Sequence, residues 1–95
     1  MDIELPKEMR VEYLHRREKD IKEIQAAMVK NDWTVLKTIG HQLKGNGESY
    51  GFPALGVLGR ELEEAAKQSS VKRAEDILGK LISTVKKLSS ELADS

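Results

Sequence analysis

The segment from Val71 to about Leu92 repeats apolar side chains at alternating steps of three and four residues, with no proline inside it. In an α-helix this spacing places the side chains along one continuous stripe, which must be covered by other helices. The stripe comprises Val71, Ala74, Leu78, Leu81, Val85, Leu88 and Leu92, and Ile77 and Ile82 widen it. A coiled-coil dimer would cover this stripe. We favour the other solution, an all-α antiparallel four-helix bundle within one chain, because three further amphipathic segments precede this one.

A first helix is predicted from Pro6 to about Lys30, after a lead-in over residues 1–5. Proline suits the first turn of a helix, and neither glycine nor proline interrupts the segment that follows. Arg17 is the one charged member of its apolar stripe, and we expect it to lie at the edge with its guanidinium in water. The stripe comprises Leu14, Arg17, Ile21, Ile24 and Met28, with Tyr13 beside it.

Two shorter helices are predicted between these long ones. Asp32 is a good N-cap for the second helix, with Trp33 in its first turn, and Pro53 opens the third. Gly56 and Gly59 in the third helix indicate close helix packing rather than a ligand site. Ser70 is the predicted N-cap of the last helix. The buried face of the third helix is predicted to contain Leu55, Leu58, Leu62, Ala65 and Ala66.

The second helix carries an outward-facing histidine. With Leu36 at zero on a helical wheel, Ile39 and Leu43 fall within about 60°, and His41 lies about 140° away. His41 is therefore predicted to point into solvent. Lys37 and Lys44 lie on the same surface, four residues before and three residues after the histidine.

Gly45 lies one turn beyond His41 and leaves bare backbone there, although glycine costs about 1 kcal/mol relative to alanine in a helix. Imidazole is a nucleophile at physiological pH, and a neighbouring cation stabilises an anion attached to it. Histidine, lysine and glycine together therefore indicate a surface at which an anionic group meets a second protein. An isolated exposed histidine would carry no such indication.

Composition limits the classes of function. The chain has 95 residues, enough for one domain, which we assign to residues 1–95. Its 16 basic and 16 acidic side chains give no net charge, which argues against nucleic-acid binding. It has no cysteine, no apolar run of about 18 residues and no apolar signal segment. These features predict a cytoplasmic location and no membrane association.

Three other kinds of site find little support. Glu12-x-x-His15 has the spacing of a di-iron ligand pair, but the second such pair is missing because Thr38 stands three residues before His41. No metal site is therefore predicted. Gly79-Lys80 lies within a helical pattern, so it predicts no phosphate-binding loop. We also expect no nucleophile–base–orienter set, because sequence spacing places no acidic partner beside the exposed His41.

The sequence His41-x-Leu43-Lys44-Gly45, with Gly51 ten residues after the histidine, resembles the signature of histidine-containing phosphotransfer (HPt) domains. The upstream Asp32-Trp33 and Leu36 also resemble this family, as do the downstream Leu62-Glu63 and Ala66-Lys67. The sequence departs from the family pattern in two places. Asn46-Gly47 stands where two small residues are usual, and Tyr50 stands where an aliphatic residue is usual.

The resemblance implies a function and a helix end. Asn46-Gly47 is a stop signal on local grounds, but the family pattern favours continuing the second helix to Gly51. His41 would accept a phosphoryl group, usually on Nε2, from a phospho-aspartate of a receiver domain or from a kinase such as a hybrid histidine kinase. It would then pass the group to another receiver domain.

The same resemblance assigns supporting roles. Lys44 would stabilise the charge on the transferred group, and Gly45, with Lys37 and Thr38, would meet the docked receiver. The receiver would supply magnesium, and this chain would need no cofactor. Such a protein is a phosphotransfer intermediate rather than an enzyme, and we expect a monomer. The alternative is a helical interaction module that docks receiver domains without transferring phosphoryl.

Overall fold

The computed structural model describes residues 5–94, so most of the lead-in predicted over residues 1–5 lies outside the described residues. Four α-helices account for most of this range: α1 (Lys7–Val29), α2 (Trp33–Asn46), α3 (Pro53–Lys67) and α4 (Val71–Ala93). The connections are short, so successive helices run antiparallel. Each helix packs on its chain neighbours, and α1 also packs on α4, which closes the ring. The predicted all-α four-helix bundle is confirmed.

Local signals define most helix ends. The Asp32 side chain accepts a hydrogen bond from Val35 N, and the Ser70 side chain accepts one from Arg73 N, so both predicted N-caps are confirmed. Pro6 occupies the N-cap of α1 rather than its first turn, and its carbonyl accepts hydrogen bonds from the first turn. Pro53 opens α3 as predicted.

The predicted end of α2 at Gly51 is wrong, because the regular helix ends at Asn46. Residues 47–51 continue as turns, and Gly51 adopts a φ of +85° that glycine accommodates without strain. The turn closes with hydrogen bonds from Phe52 N to the Gly47 carbonyl at 2.8 Å and from Gly51 N to the Glu48 carbonyl at 2.9 Å, the pattern of a Schellman motif. The local stop signal at Asn46-Gly47 thus marks the end of the α-helix, and Gly51 marks the end of the turn.

All four helices contribute apolar side chains to one core. All five residues of the predicted face of α3 are buried, and Ala74, Leu81 and Val85 of the α4 stripe are buried with Ile77. Two predicted members of that stripe are wrong, since Val71 and Ile82 are exposed. They lie to one side of the line through Ala74 and Leu81, which faces α1 and α3. The largest fully buried side chains are Leu14, Ile24, Leu36, Leu43, Leu55, Leu62 and Leu81.

The backbones of α2 and α3 touch through glycines. A Cβ built on Gly59 would lie 2.5 Å from the Lys44 backbone nitrogen, and one built on Gly40 would lie 2.7 Å from the Glu63 backbone nitrogen. Gly47 and Gly56 make a second close approach, at 2.5 Å between a Cβ on Gly47 and Gly56 N. The packing role predicted for the α3 glycines is confirmed. No helix in residues 5–94 is both long and apolar enough to cross a membrane.

Candidate functional site

His41 lies in the second half of α2 and faces solvent, with 68% of its side chain exposed. The helical-wheel prediction of its orientation is therefore confirmed. Leu36, Ile39 and Leu43 are buried on the opposite side of the helix. The imidazole is thus held on a packed helix while its ring remains open to a partner.

Glu63 of α3 is the acidic partner of His41. Its carboxylate lies against the imidazole, with Oε2 3.0 Å from His41 Nδ1, and its other oxygen, Oε1, accepts a hydrogen bond from Lys44 Nζ at 3.2 Å. Only 9% of the Glu63 side chain is exposed. The expectation that His41 has no acidic partner was wrong, because that partner comes from another helix.

The glycine contacts explain how Glu63 reaches α2. Gly59 precedes Glu63 by one helical turn and lies against the backbone of Lys44 and Gly40. With no side chain at Gly59 or Gly40, α3 comes close enough for the Glu63 carboxylate to lie between His41 and Lys44. A carboxylate one turn after a glycine on a buried helix face was the sequence signal that could have identified this residue.

The cationic surroundings of Glu63 hold it in the ionised form. The hydrogen bond from Lys44 is the largest influence and lowers the pKa of the carboxyl below its ordinary value of 4.5. Burial opposes this shift by raising the pKa, and the hydrogen bond to His41 lowers it further. Glu63 is therefore a carboxylate at neutral pH, and a carboxylate can only accept hydrogen bonds.

The ionised carboxylate fixes the tautomer of His41. Because Glu63 accepts, Nδ1 must carry the proton of the neutral ring, and the lone pair is then on Nε2. Nε2 lies on the opposite edge of the ring from the Glu63 contact. The arrangement gives a nucleophilic nitrogen on the exposed edge, a carboxylate that stabilises positive charge on the ring, and an ammonium group one helical turn away.

The surface around His41 is open. Gly45 is exposed, and a Cβ built there would meet no atom within 4 Å. Lys37 and Thr38 are also exposed on this side of α2. The structure therefore brings the predicted residues of α2 onto one accessible face beside the imidazole. Their roles in docking stay a prediction.

The two departures from the family pattern share a partner in α1. Asn46 Oδ1 accepts hydrogen bonds from Tyr13 Oη and, at 3.3 Å, from Arg17 Nη1. The Tyr50 ring stacks on Tyr13 with 4.3 Å between the ring centroids. Arg17 is buried beneath this cluster, with its Cζ 4.1 Å from the Tyr13 ring centroid, so its predicted position at the edge of the stripe was wrong. Asn46 and Tyr50 therefore stabilise the packing of the end of α2, and of the turn after it, against α1.

The Glu12-x-x-His15 pair makes other contacts. Glu12 forms an ion pair with Arg16 at 2.9 Å, and His15 Nδ1 lies 3.4 Å from Glu18 Oε2. Both side chains are largely exposed. Over residues 5–94 there is no group of three or more histidine, cysteine, aspartate or glutamate side chains that could hold a metal ion.

Comparison with protein families agrees with this geometry. The model of the Hpt domain matches residues 8–94, which is nearly the whole chain. The chain belongs to the Hpt domain family. No curated protein and no solved structure matches it at a significant level. In this Hpt domain the match extends from α1 through α4, so it includes His41, Lys44 and Glu63 together.

The acid stability of this Hpt domain should depend on Glu63. A carboxyl whose pKa is lowered by folding stabilises the fold above its unfolded pKa, and that contribution is lost as the pH falls through its folded pKa. We expect Glu63→Gln to melt below the wild type from pH 7 to about 5, and the margin to shrink below about pH 4.5. Thermal melts across this range measure it. A margin that stays unchanged down to pH 3 would contradict the ionised, doubly hydrogen-bonded carboxylate.

Proposed function

We propose that this Hpt domain is a phosphoryl carrier of a two-component phosphorelay. His41 accepts phosphoryl from a receiver-domain aspartate or from a kinase and passes it to a receiver domain. The observation that carries the proposal is the Glu63 carboxylate on Nδ1 of an exposed imidazole, with Lys44 bound to the same carboxylate. The family match supports the same function.

The proposed transfer is an in-line displacement on phosphorus. The Nε2 lone pair of His41 attacks the phosphorus atom of an aspartyl phosphate, a nitrogen–phosphorus bond forms, and the bond from phosphorus to the carboxylate oxygen breaks. The aspartate leaves with the electron pair as a free carboxylate. Phosphoryl transfer of this kind needs mainly positioning and charge stabilisation from the protein.

Each residue around His41 has a distinct part in that step. The ring gains positive charge as Nε2 bonds to phosphorus, and the Glu63 carboxylate on Nδ1–H stabilises that charge. Lys44 supplies positive charge to the oxygens of the transferred group. The proton stays on Nδ1, so transfer in either direction needs no separate acid or base.

The partner supplies the other groups that the transfer needs. The receiver domain provides the aspartate and the magnesium ion that neutralises the phosphate oxygens. The open surface at Gly45 admits that partner close to the ring. On this proposal the domain is a stoichiometric intermediate, and its turnover depends on the partners that donate and receive the group.

Gly45→Leu tests the proposal by separating two phosphodonors. The new side chain would stand one turn from His41 in the space assigned to the receiver. Transfer from a phosphorylated receiver should then fall roughly 10²-fold, the scale of a misplacement of about 1 Å. Labelling by phosphoramidate, which is small enough to reach Nε2 without docking, should stay near the wild-type rate. Both labelling rates and a thermal melt are measured on the same sample.

Gly79→Leu is the matched control. Gly79 is an exposed glycine of α4 with no atom within 4 Å of a built Cβ, so the same substitution there adds the same side chain away from His41. Both variants should melt no lower than the wild type, since glycine costs about 1 kcal/mol in a helix. Equal receiver rates for the two variants would contradict docking at Gly45. A wild-type domain that binds receivers yet is labelled by no donor would identify a docking module instead.

A further inference from the structure

Four cationic side chains frame the imidazole and its carboxylate. On α2, Lys37 precedes His41 by four residues and Lys44 follows it by three. On α3, Arg60 precedes Glu63 by three residues and Lys67 follows it by four. At 1.5 Å of rise per residue, each cation lies roughly 4.5 or 6 Å along its helix from the centre of the site.

The antiparallel packing aligns the two pairs. The Lys44 backbone touches Gly59, the neighbour of Arg60. Lys44 and Arg60, which are each three residues from His41 or Glu63, therefore lie at the same level along the bundle. Lys37 and Lys67, which are each four residues from His41 or Glu63, therefore lie at the opposite level. We call these four side chains the cationic frame.

The cationic frame is accessible and has an excess of charge. Lys37 and Arg60 are exposed, and among residues 5–94 neither has a carboxylate within salt-bridge distance. Lys67 Nζ lies 3.7 Å from Glu64 Oε1 with half of each side chain exposed, a weak pair at such exposure. Glu63 pairs with Lys44 and Glu64 pairs with Lys67, so two of the four cations have a carboxylate partner and, within residues 5–94, the charges of Lys37 and Arg60 are not offset by one.

We propose that the cationic frame selects partners with an acidic rim around their phosphorylated aspartate, and that Arg60 and Lys67 of α3 are determinants of that selection. This inference rests on the proposed function, because it concerns the proteins that exchange phosphoryl with His41. A protein surface is the occupant that fits, since the frame surrounds a reactive nitrogen and a chain of zero net charge gives no extended track for a nucleic acid.

The cationic frame would change how fast a receiver domain associates with this domain and how the receiver is oriented. Complementary charges around an interface raise association rates by about 10 to 10³-fold, and the gain falls as salt screens the charges. Rim charges act mainly on the association rate and on the rejection of wrong partners. Lys44 also stabilises the transferred group in the proposed mechanism, so its substitution would change both docking and transfer. Substitution of Arg60 and Lys67 tests docking alone.

The test uses the charge-reversal variant R60E/K67E and the matched control K72E/K86E. Lys72 and Lys86 are exposed on α4, so the control changes the net charge equally at a distance from His41. The donor is the receiver domain that labels the wild type fastest in a panel of phosphorylated receivers. We expect the second-order transfer rate of R60E/K67E to fall roughly tenfold or more at low salt, and its dependence on salt to flatten or reverse. K72E/K86E should keep the wild-type rate and salt dependence within about twofold.

Phosphoramidate labelling distinguishes an effect on receiver docking from an effect on phosphoryl acceptance by His41. All three proteins should be labelled by phosphoramidate at similar rates, because the small donor does not dock. Receiver rates of R60E/K67E within twofold of K72E/K86E would overturn the inference and leave the proposed function standing. A wild-type domain labelled by neither donor would overturn the proposed function, and the inference with it.

Discussion

Replacement of His41 by glutamine is expected to abolish phosphoryl acceptance from every donor. The substitution removes the imidazole nitrogen that acts as the nucleophile in the proposed transfer. The glutamine amide can still donate a hydrogen bond to the Glu63 carboxylate, so the carboxylate keeps both of its partners. Since His41 is 68% exposed, the free energy of unfolding should change by no more than about 0.5 kcal/mol.

Radiolabel incorporation and thermal melting check this prediction side by side. His15 is the only other histidine of the chain, so His15→Gln is the matched control. The His15→Gln variant should be labelled at the wild-type rate. His15 is not an expected acceptor, because the residue three positions after it is Glu18, where His41 has Lys44. Substantial labelling of His41→Gln would place the acceptor on His15 or on another residue.

Gly59→Ala is expected to have the largest effect on stability. The new Cβ would lie 2.5 Å from Lys44 N and 2.8 Å from the Gly40 carbonyl oxygen, and both are backbone atoms that cannot turn aside. Forcing extra volume into such packing costs about 1–3 kcal/mol, which outweighs the gain in helix propensity. For a domain of this size the melting temperature should fall roughly 5 to 20 °C.

The same substitution should slow phosphotransfer at temperatures where the variant remains folded. Separation of α3 from α2 moves Glu63 away from His41, so its stabilisation of the ring weakens. Gly79→Ala is the control, and it should raise the free energy of unfolding by about 1 kcal/mol because its Cβ enters open space. A Gly59→Ala domain as stable as Gly79→Ala would show that the helix contact is not close packed.

The fold was predictable because the patterns that define it are local. Apolar spacing, the N-caps Asp32 and Ser70, and Pro53 identified four helices and most of their bounds. The errors arose where contacts between helices override the pattern. Val71 satisfies the apolar spacing of α4 and Ile82 widens its stripe, but both are exposed because they lie beside the line that faces the neighbouring helices. Arg17 is buried because its guanidinium contacts the Tyr13 ring and pairs with Asp20 on α1, and because it donates a hydrogen bond to Asn46 of α2. The contact with α2 is the one that the pattern of α1 alone does not reveal.

The residues of the candidate site on α2 could be predicted from the sequence. The contribution of Glu63 on α3 could not. The orientation of His41 and the open surface at Gly45 follow from helical periodicity, which fixes directions on one helix. The contact between Glu63 and His41 depends on how closely α3 approaches and on the register of the two helices. That approach is set by Gly40 and Gly59 together, and each glycine alone is ambiguous in sequence.

Phosphoryl transfer to Nε2 of His41 can be observed directly on the phosphorylated domain. The wild-type domain is incubated with a phosphorylated receiver, and the attached phosphate is examined by ³¹P NMR and by its stability to acid and base. We predict a phosphate that is lost in acid, kept in base, mapped to His41 and bonded to Nε2. A phosphate that survives acid, one bonded to Nδ1, or one on any other residue would contradict transfer to Nε2 of His41.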